Sequence, residues 1–251
     1  MAVIPASQAT IVLIKTNQGD FEVNLYDQTT PATVANFLSY VEKGEFDINI
    51  VHRSVNNFII QSGGYKIRYV EVTEDGETTS KQQIIPLETD AAVINEPVYS
   101  NVRGTIAMAK LGGNANSATS GWFINLSDNS GNLDNQNGGF TVFGEVIGTG
   151  METVDAIADL PVYNLNNGSL SETPLQDYSE NDATNEEPIT LDNFVKIESI
   201  TVTNANQDTA AELNPPLSTY EPSESSSGGG SFGVGFAALL ALFGMRKLKK
   251  Q

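Results

Sequence analysis

VHRSVNNFIIQSGG, residues 51–64, is the stretch on which the reading of the whole chain turns. Two strand-like runs, Ile48 to His52 and Phe58 to Gln61, lie on either side of a polar turn at Asn56-Asn57. His52 is the only histidine among 251 residues, which excludes HExxH and every other histidine-cluster metal site. A lone histidine inside a strand-like run reads as packed and hydrogen-bonded, so a Ser-His-Asp triad is not expected. There is no cysteine, which rules out disulfides, thiolate chemistry and cysteine-based zinc sites. Neither a GxSxG elbow nor a Walker A loop occurs.

Working outward, Ile11 to Ile14 is a continuous apolar run and Asn17-Gln18-Gly19 a turn. Phe21, Val23 and Leu25 then alternate with polar neighbours, which predicts a hairpin. Thr30-Pro31 predicts a helix start, with Thr30 as the cap, and Val34, Phe37, Leu38 and Val41 follow at helical spacing until Gly44. Further strand-like runs are Gly104 to Ala109, Gly121 to Leu126, Phe140 to Ile147 and Phe194 to Val202. A second helix fits Met151, Val154, Ile157 and Ala158 and ends at Pro161. Many short strands with two helices predict a mainly β fold, a closed or nearly closed barrel with helices over its ends.

Arg53, Phe58 and Gln61 resemble the HR…F..Q motif of cyclophilins. RGTIAMA, Arg103 to Ala109, with NSATSGWFIN, Asn116 to Asn125, resembles that family's second motif, and NLDNQNGGFTVFGEV, Asn132 to Val146, its third. The three stand in the family's order, and the resemblance runs from about Thr10 to Thr203. It implies an eight-stranded antiparallel barrel capped by two helices, with a groove on its outside. It implies peptidyl-prolyl cis-trans isomerisation, with Arg53 catalytic. Phe58, Ile59, Phe123, Leu133 and Phe140 would form the proline pocket, Gln61 would hydrogen-bond the substrate backbone, and Ala109 would line the groove. No cofactor and no metal are expected, and the partners would be proline-containing polypeptides.

Those residue types suit the chemistry. Rotation about an X-Pro bond faces a barrier of about 20 kcal/mol, set by amide resonance. In the twisted state the nitrogen gains a lone pair, which a guanidinium stabilises more than it does the planar amide. Raising a rate from roughly 10⁻² to 10³ s⁻¹ takes about 7 kcal/mol, of which one preorganised donor supplies about 3–4. The chain also departs from the family pattern. Gly121 stands where Gln is usual, Asn132 where Trp or Phe is usual, Phe140 in place of His or Tyr, and Asn56-Asn57 in place of a proline-containing turn. These changes point to altered specificity. The alternative is a catalytically weak cyclophilin-fold module that grips proline-containing segments. A third possibility is a surface structural protein acting through its acidic loop.

The chain has 13 Lys and Arg against 31 Asp and Glu, a net charge of −18, and four of the cations lie at Arg246, Lys247, Lys249 and Lys250. An acidic body repels nucleic-acid phosphate, so nucleic acid is not an expected partner. Residues 10–203 are expected to form the isomerase domain, monomeric, with a solvated acidic loop at 163–192. A calcium site in that loop lacks EF-hand spacing. Residues 204–230, with Pro215-Pro216 and Ser225 to Gly230, are expected to be a flexible polar linker. Residues 231–251 join a hydrophobic segment to a basic end, and together with Gly228-Gly229-Gly230 before them they resemble a GlyGly-CTERM sorting signal. The 18 residues from Gly228 to Met245 would span roughly 27 Å as a helix. The basic end points inward, so an extracytoplasmic body, anchored at least transiently, is expected. Residues 1–9 read either as the remnant of a signal peptide ending at Ser7-Gln8-Ala9 or as a plain N-terminus.

Overall fold

Alternation between two apolar faces shapes the computed structural model, which describes residues 10–74, 77–165, 168–205, 210 and 213–220. The elements in chain order are β1 (Ile11–Thr16), β2 (Gly19–Leu25), α1 (Pro31–Glu42), β3 (Asn49–Ile50), β4 (Arg53–Val55), β5 (Ile59–Ser62), β6 (Tyr65–Glu74) and β7 (Glu77–Pro86). They continue with β8 (Thr105–Met108), β9 (Trp122–Asn125), α2 (Ser130–Leu133), β10 (Val142–Ile147), α3 (Gly150–Ala158), β11 (Val162–Tyr163), β12 (Thr173–Pro174), α4 (Glu180–Thr184) and β13 (Lys196–Asn204).

The strands hydrogen-bond in the order β4-β5-β9-β8-β10-β2-β1-β13-β3, with β6 and β7 beyond β3. β3 and β4 are two halves of one stretch, residues 49–55. Its first half pairs with β13 and its second with β5. Between them Val51 N donates to Val195 O (3.0 Å) and His52 N to Gln61 O (3.1 Å). Counted as one member, this stretch closes an antiparallel ring of eight strands.

Neighbouring residues along each strand point to opposite faces. Ile60, Ile106, Ile124 and Phe143 face the interior and join the main core, where Phe37 and Tyr40 of α1 and Val154 and Ile157 of α3 cover the barrel. Their neighbours Ile59, Ala107, Phe123 and Val142 belong to a separate cluster on the outer face. Burying each large side chain in this way contributes roughly 1.5–3 kcal/mol.

α1 starts at Pro31 with Thr30 at the N-cap position, as expected, but the Thr30 side chain makes no capping hydrogen bond. The Thr30 hydroxyl is fully buried and donates back to Tyr26 O (3.2 Å). Glu96 acts in its place, accepting from Thr33 N (2.9 Å) and the Thr33 hydroxyl (2.7 Å). A carboxylate at the positive end of the helix is favourable there. β6 and β7 pair as a hairpin outside every strand-like run named above, although Asp75-Gly76 between alternating residues is a hairpin signal in the sequence.

The stretch 163–192 is more than a solvated loop. Leu165, Leu170, Tyr178 and Leu191 pack with fully buried Leu175 against Ile50 and Ile67. Part of 204–230 also lies on the body. Ser218 N donates to Val98 O, Ser100 N to Pro216 O (both 2.9 Å), and Thr219 N to Asp134 Oδ2 (3.1 Å). Among the described residues no helix is long and apolar enough to cross a membrane, and the expected segment at 231–251 lies outside them.

β5 turns into β6 at Gly63, whose φ is +79° and whose Cβ, if present, would fall on the Ser120 carbonyl oxygen. A side chain is therefore excluded twice, by backbone angle and by space. Gly63→Ala is expected to lower unfolding free energy by about 2 kcal/mol or more in a denaturant titration.

Candidate active site

Antiparallel register lines up one row of residues across the outer face. Arg53 on β4 is opposite Gln61 on β5, and Gln61 is opposite Phe123 on β9. Phe123 is opposite Ala107 on β8, which is opposite Val142 on β10. Directly opposed side chains lie close enough to act together. A cation, a carboxamide and an aromatic ring thus come to adjacent positions from three strands.

The residues expected at the pocket converge on this row. Ile59, Phe123, Leu133 and Phe140 form one cluster, with Phe58 and Ala109 packed against it. The rings of Phe123 and Phe140 meet edge to face at 5.8 Å. Leu126 N donates to Phe58 O and Ala109 N to Gly121 O, which places Phe58 and Ala109 at opposite ends of β9 with Phe123 between them. The cluster has a closed floor and an open rim. Ile59, Phe123, Leu133 and Phe140 are each no more than 2% exposed, whereas Arg53, Phe58, Gln61 and Ala109 are half-buried.

Two polar atoms at the rim are left over. Arg53 Nη1, a donor, and Gln61 Oε1, an acceptor, are buried without a hydrogen-bond partner among the described residues. Leaving such a group unsatisfied costs about 1–3 kcal/mol, so the pair is suited to a bound backbone that supplies an acceptor and a donor. Arg53 Nε is already taken, donating to Glu172 Oε2 at 2.7 Å.

The floor has supports that the sequence did not reveal. Lys110 Nζ sits 4.7 Å from the Phe140 ring centroid. It donates to Asn95 Oδ1 (3.2 Å), Asn137 O (3.0 Å) and Gly139 O. Burial pushes its ammonium down to about 8. Asp134, beside Leu133, accepts from the Ser100 hydroxyl (2.6 Å), Asn101 N (2.8 Å) and Thr219 N (3.1 Å). Burial works to raise its carboxyl, but these hydrogen bonds outweigh it and the net shift is downward. Neither Lys110 nor Glu172 carries a sequence signal, because a charge in a loop has no period to betray its partner. Gly121 lies next to Ala109, whose Cβ would be 3.3 Å from a Cβ at that position.

The family model described as "Cyclophilin type peptidyl-prolyl cis-trans isomerase/CLD" matches residues 11–179. A peptidyl-prolyl cis-trans isomerase of Acinetobacter baylyi is 40% identical over 155 residues, covering 61% of this chain and 73% of that protein. Peptidyl-prolyl cis-trans isomerase B of Escherichia coli is 35% identical over 153 residues, covering 59% and 83%. Among solved structures, a cyclophilin type peptidyl-prolyl cis-trans isomerase of Cryptosporidium parvum superposes with a TM-score of 0.52 at 23% identity, covering 78% of this chain and 98% of that one. A crystal structure of that protein in the presence of the dipeptide Ala-Pro gives a TM-score of 0.51. At that identity the structural likeness speaks for the fold alone.

His52, beside Arg53, is 4% exposed and packs edge to face on Tyr65 at 5.2 Å. Burial, with the Arg53 charge adding to it, pushes its imidazolium down from 6.5 to about 4. The unfolded chain takes up this proton near 6.5 and the folded chain only near 4, so acid favours unfolding between them. His52 should therefore remove roughly 3 kcal/mol of stability as pH falls through that window. Urea titrations of the wild type are expected to show a steeper loss between pH 6.5 and 5 than those of His52→Gln.

Proposed function

This chain belongs to the cyclophilin-type peptidyl-prolyl cis-trans isomerases and catalyses rotation about X-Pro bonds, and we propose that Arg53 is the group through which it does so. One observation carries the assignment. The row Arg53–Gln61–Phe123 sets an unpartnered guanidinium nitrogen and an unpartnered carboxamide oxygen beside an apolar cluster.

In this reading the proline ring lies along the cluster, over Phe123 and between Phe58 and Ala109, with Ile59, Leu133 and Phe140 as its floor. Gln61 accepts from a substrate backbone N–H and so fixes the peptide. Arg53 Nη1 points its N–H at the prolyl nitrogen as the amide twists and that nitrogen gains its lone pair. No bond breaks and no proton is transferred. The guanidinium contributes because its interaction strengthens as resonance is lost. The apolar floor keeps water from weakening it.

The setting is also proposed. An acidic body and a chain end with 15 apolar, small-residue-rich positions before four cations support an extracytoplasmic enzyme, attached to a membrane at least transiently. It would act as a monomer on exported polypeptides as they fold.

The test is an isomerisation assay on a short X-Pro peptide. The wild-type chain is expected to accelerate the reaction clearly, and Arg53→Ala to lower kcat/KM by about 10²–10³-fold while remaining folded. Arg53→Lys should restore little, because a single ammonium nitrogen cannot stand both at the Nε position on Glu172 and at the Nη1 position beside Gln61. An inactive, folded wild type that still binds the peptide would favour the binding-module alternative.

A further inference from the structure

We propose that Glu172 is a positioning residue that sets the plane of the Arg53 guanidinium; this rests on the assignment of Arg53 above. Glu172 comes from the acidic stretch 163–192, 119 residues from Arg53 along the chain. Three hydrogen bonds tie that stretch to β4 and its approach. Arg53 Nε donates to Glu172 Oε2 at 2.7 Å, Ser54 N donates to Glu172 O at 2.7 Å, and the Thr173 hydroxyl donates to His52 O at 3.0 Å. The arginine side chain and the backbone on both sides of it are therefore held by two consecutive residues.

Those two residues are themselves fixed. Thr173 and Leu175 are fully buried, and Leu175 packs against Ile50 at the start of the same barrel stretch. Glu172 is thus carried on a rigid base.

A guanidinium is planar, so anchoring Nε through a carboxylate fixes the direction of both Nη atoms. Without the anchor a long, freely rotating side chain would spread its charge over many positions. A neighbouring carboxylate also carries a cost, since it offsets part of the positive charge. The exposure of the two partners limits that cost. The Glu172 side chain is 41% exposed, so water screens it, whereas Arg53 is only 15% exposed. Orientation is gained in full and charge is lost only in part. The acidic stretch thereby acquires a role in the reaction that its composition does not suggest.

The test uses the full chain with Glu172→Gln, Glu172→Asp and Glu172→Ala. kcat and KM are measured separately, and the Arg53 Nε–H resonance is followed by NMR. The Gln amide oxygen still reaches Nε, whereas Asp keeps the charge but is one methylene short. Glu172→Gln is expected to stay within about threefold of wild type. Asp and Ala should lower kcat about tenfold with KM within about twofold, and their Arg53 Nε–H signal should broaden by exchange with water. Wild-type rates in all three, or activity kept by Asp and lost by Gln, would overturn the proposal. If Glu172→Ala does not fold, the Gln and Asp pair decides. If the wild type itself is inactive, the assignment of Arg53 fails first. The positioning claim then stands or falls on whether the Arg53 signal depends on Glu172.

Discussion

The structure depends on the double pairing of residues 49–55. One short stretch bonds to the last strand through its first half and to β5 through its second, and this converts an open sheet into a ring. A ring has no free edge to satisfy, and its tight interior must be filled by one side chain of each adjacent pair. The other side chain is forced outward. Arg53 stands in the stretch that closes the ring, so the constraint that completes the fold also brings this cation to the outer face.

From that constraint the site follows with little freedom. Register across β4, β5 and β9 places Arg53, Gln61 and Phe123 side by side, and a slip of one residue would turn all three inward. Gly63 enforces the register at one end, because no other residue has room against Ser120. His52 N pairing with Gln61 O enforces it near the cation. A reaction whose barrier is lowered by one well-aimed donor needs this kind of rigidity more than it needs many functional groups.

The appendages extend the same logic. The acidic stretch reaches back to Arg53 through Glu172, and the C-terminal stretch reaches Asp134, beside Leu133, through Thr219. Both segments have the polar composition of linkers, yet each ends on a group that holds part of the site. What they supply is position.

The sequence by itself determined the mainly β class, both principal helices, most strand locations and the family motifs that single out Arg53, Phe58, Gln61 and Phe123. The elements are legible because they rest on local rules: alternation along strands, helical spacing, glycine where a turn demands it; the four residues are legible only through the resemblance of their motifs to a family. Only the tertiary structure decided which face Arg53 occupies, that Glu96 rather than the Thr30 hydroxyl accepts from the first turn of α1, that Lys110 supports Phe140, and that Glu172 holds the guanidinium. Each of these is a contact between a charged side chain and a group distant along the chain. No periodicity records such a contact, since a carboxylate in a polar loop reads the same whether it faces water or an arginine. The partner is chosen when the ring closes and the loops settle on it.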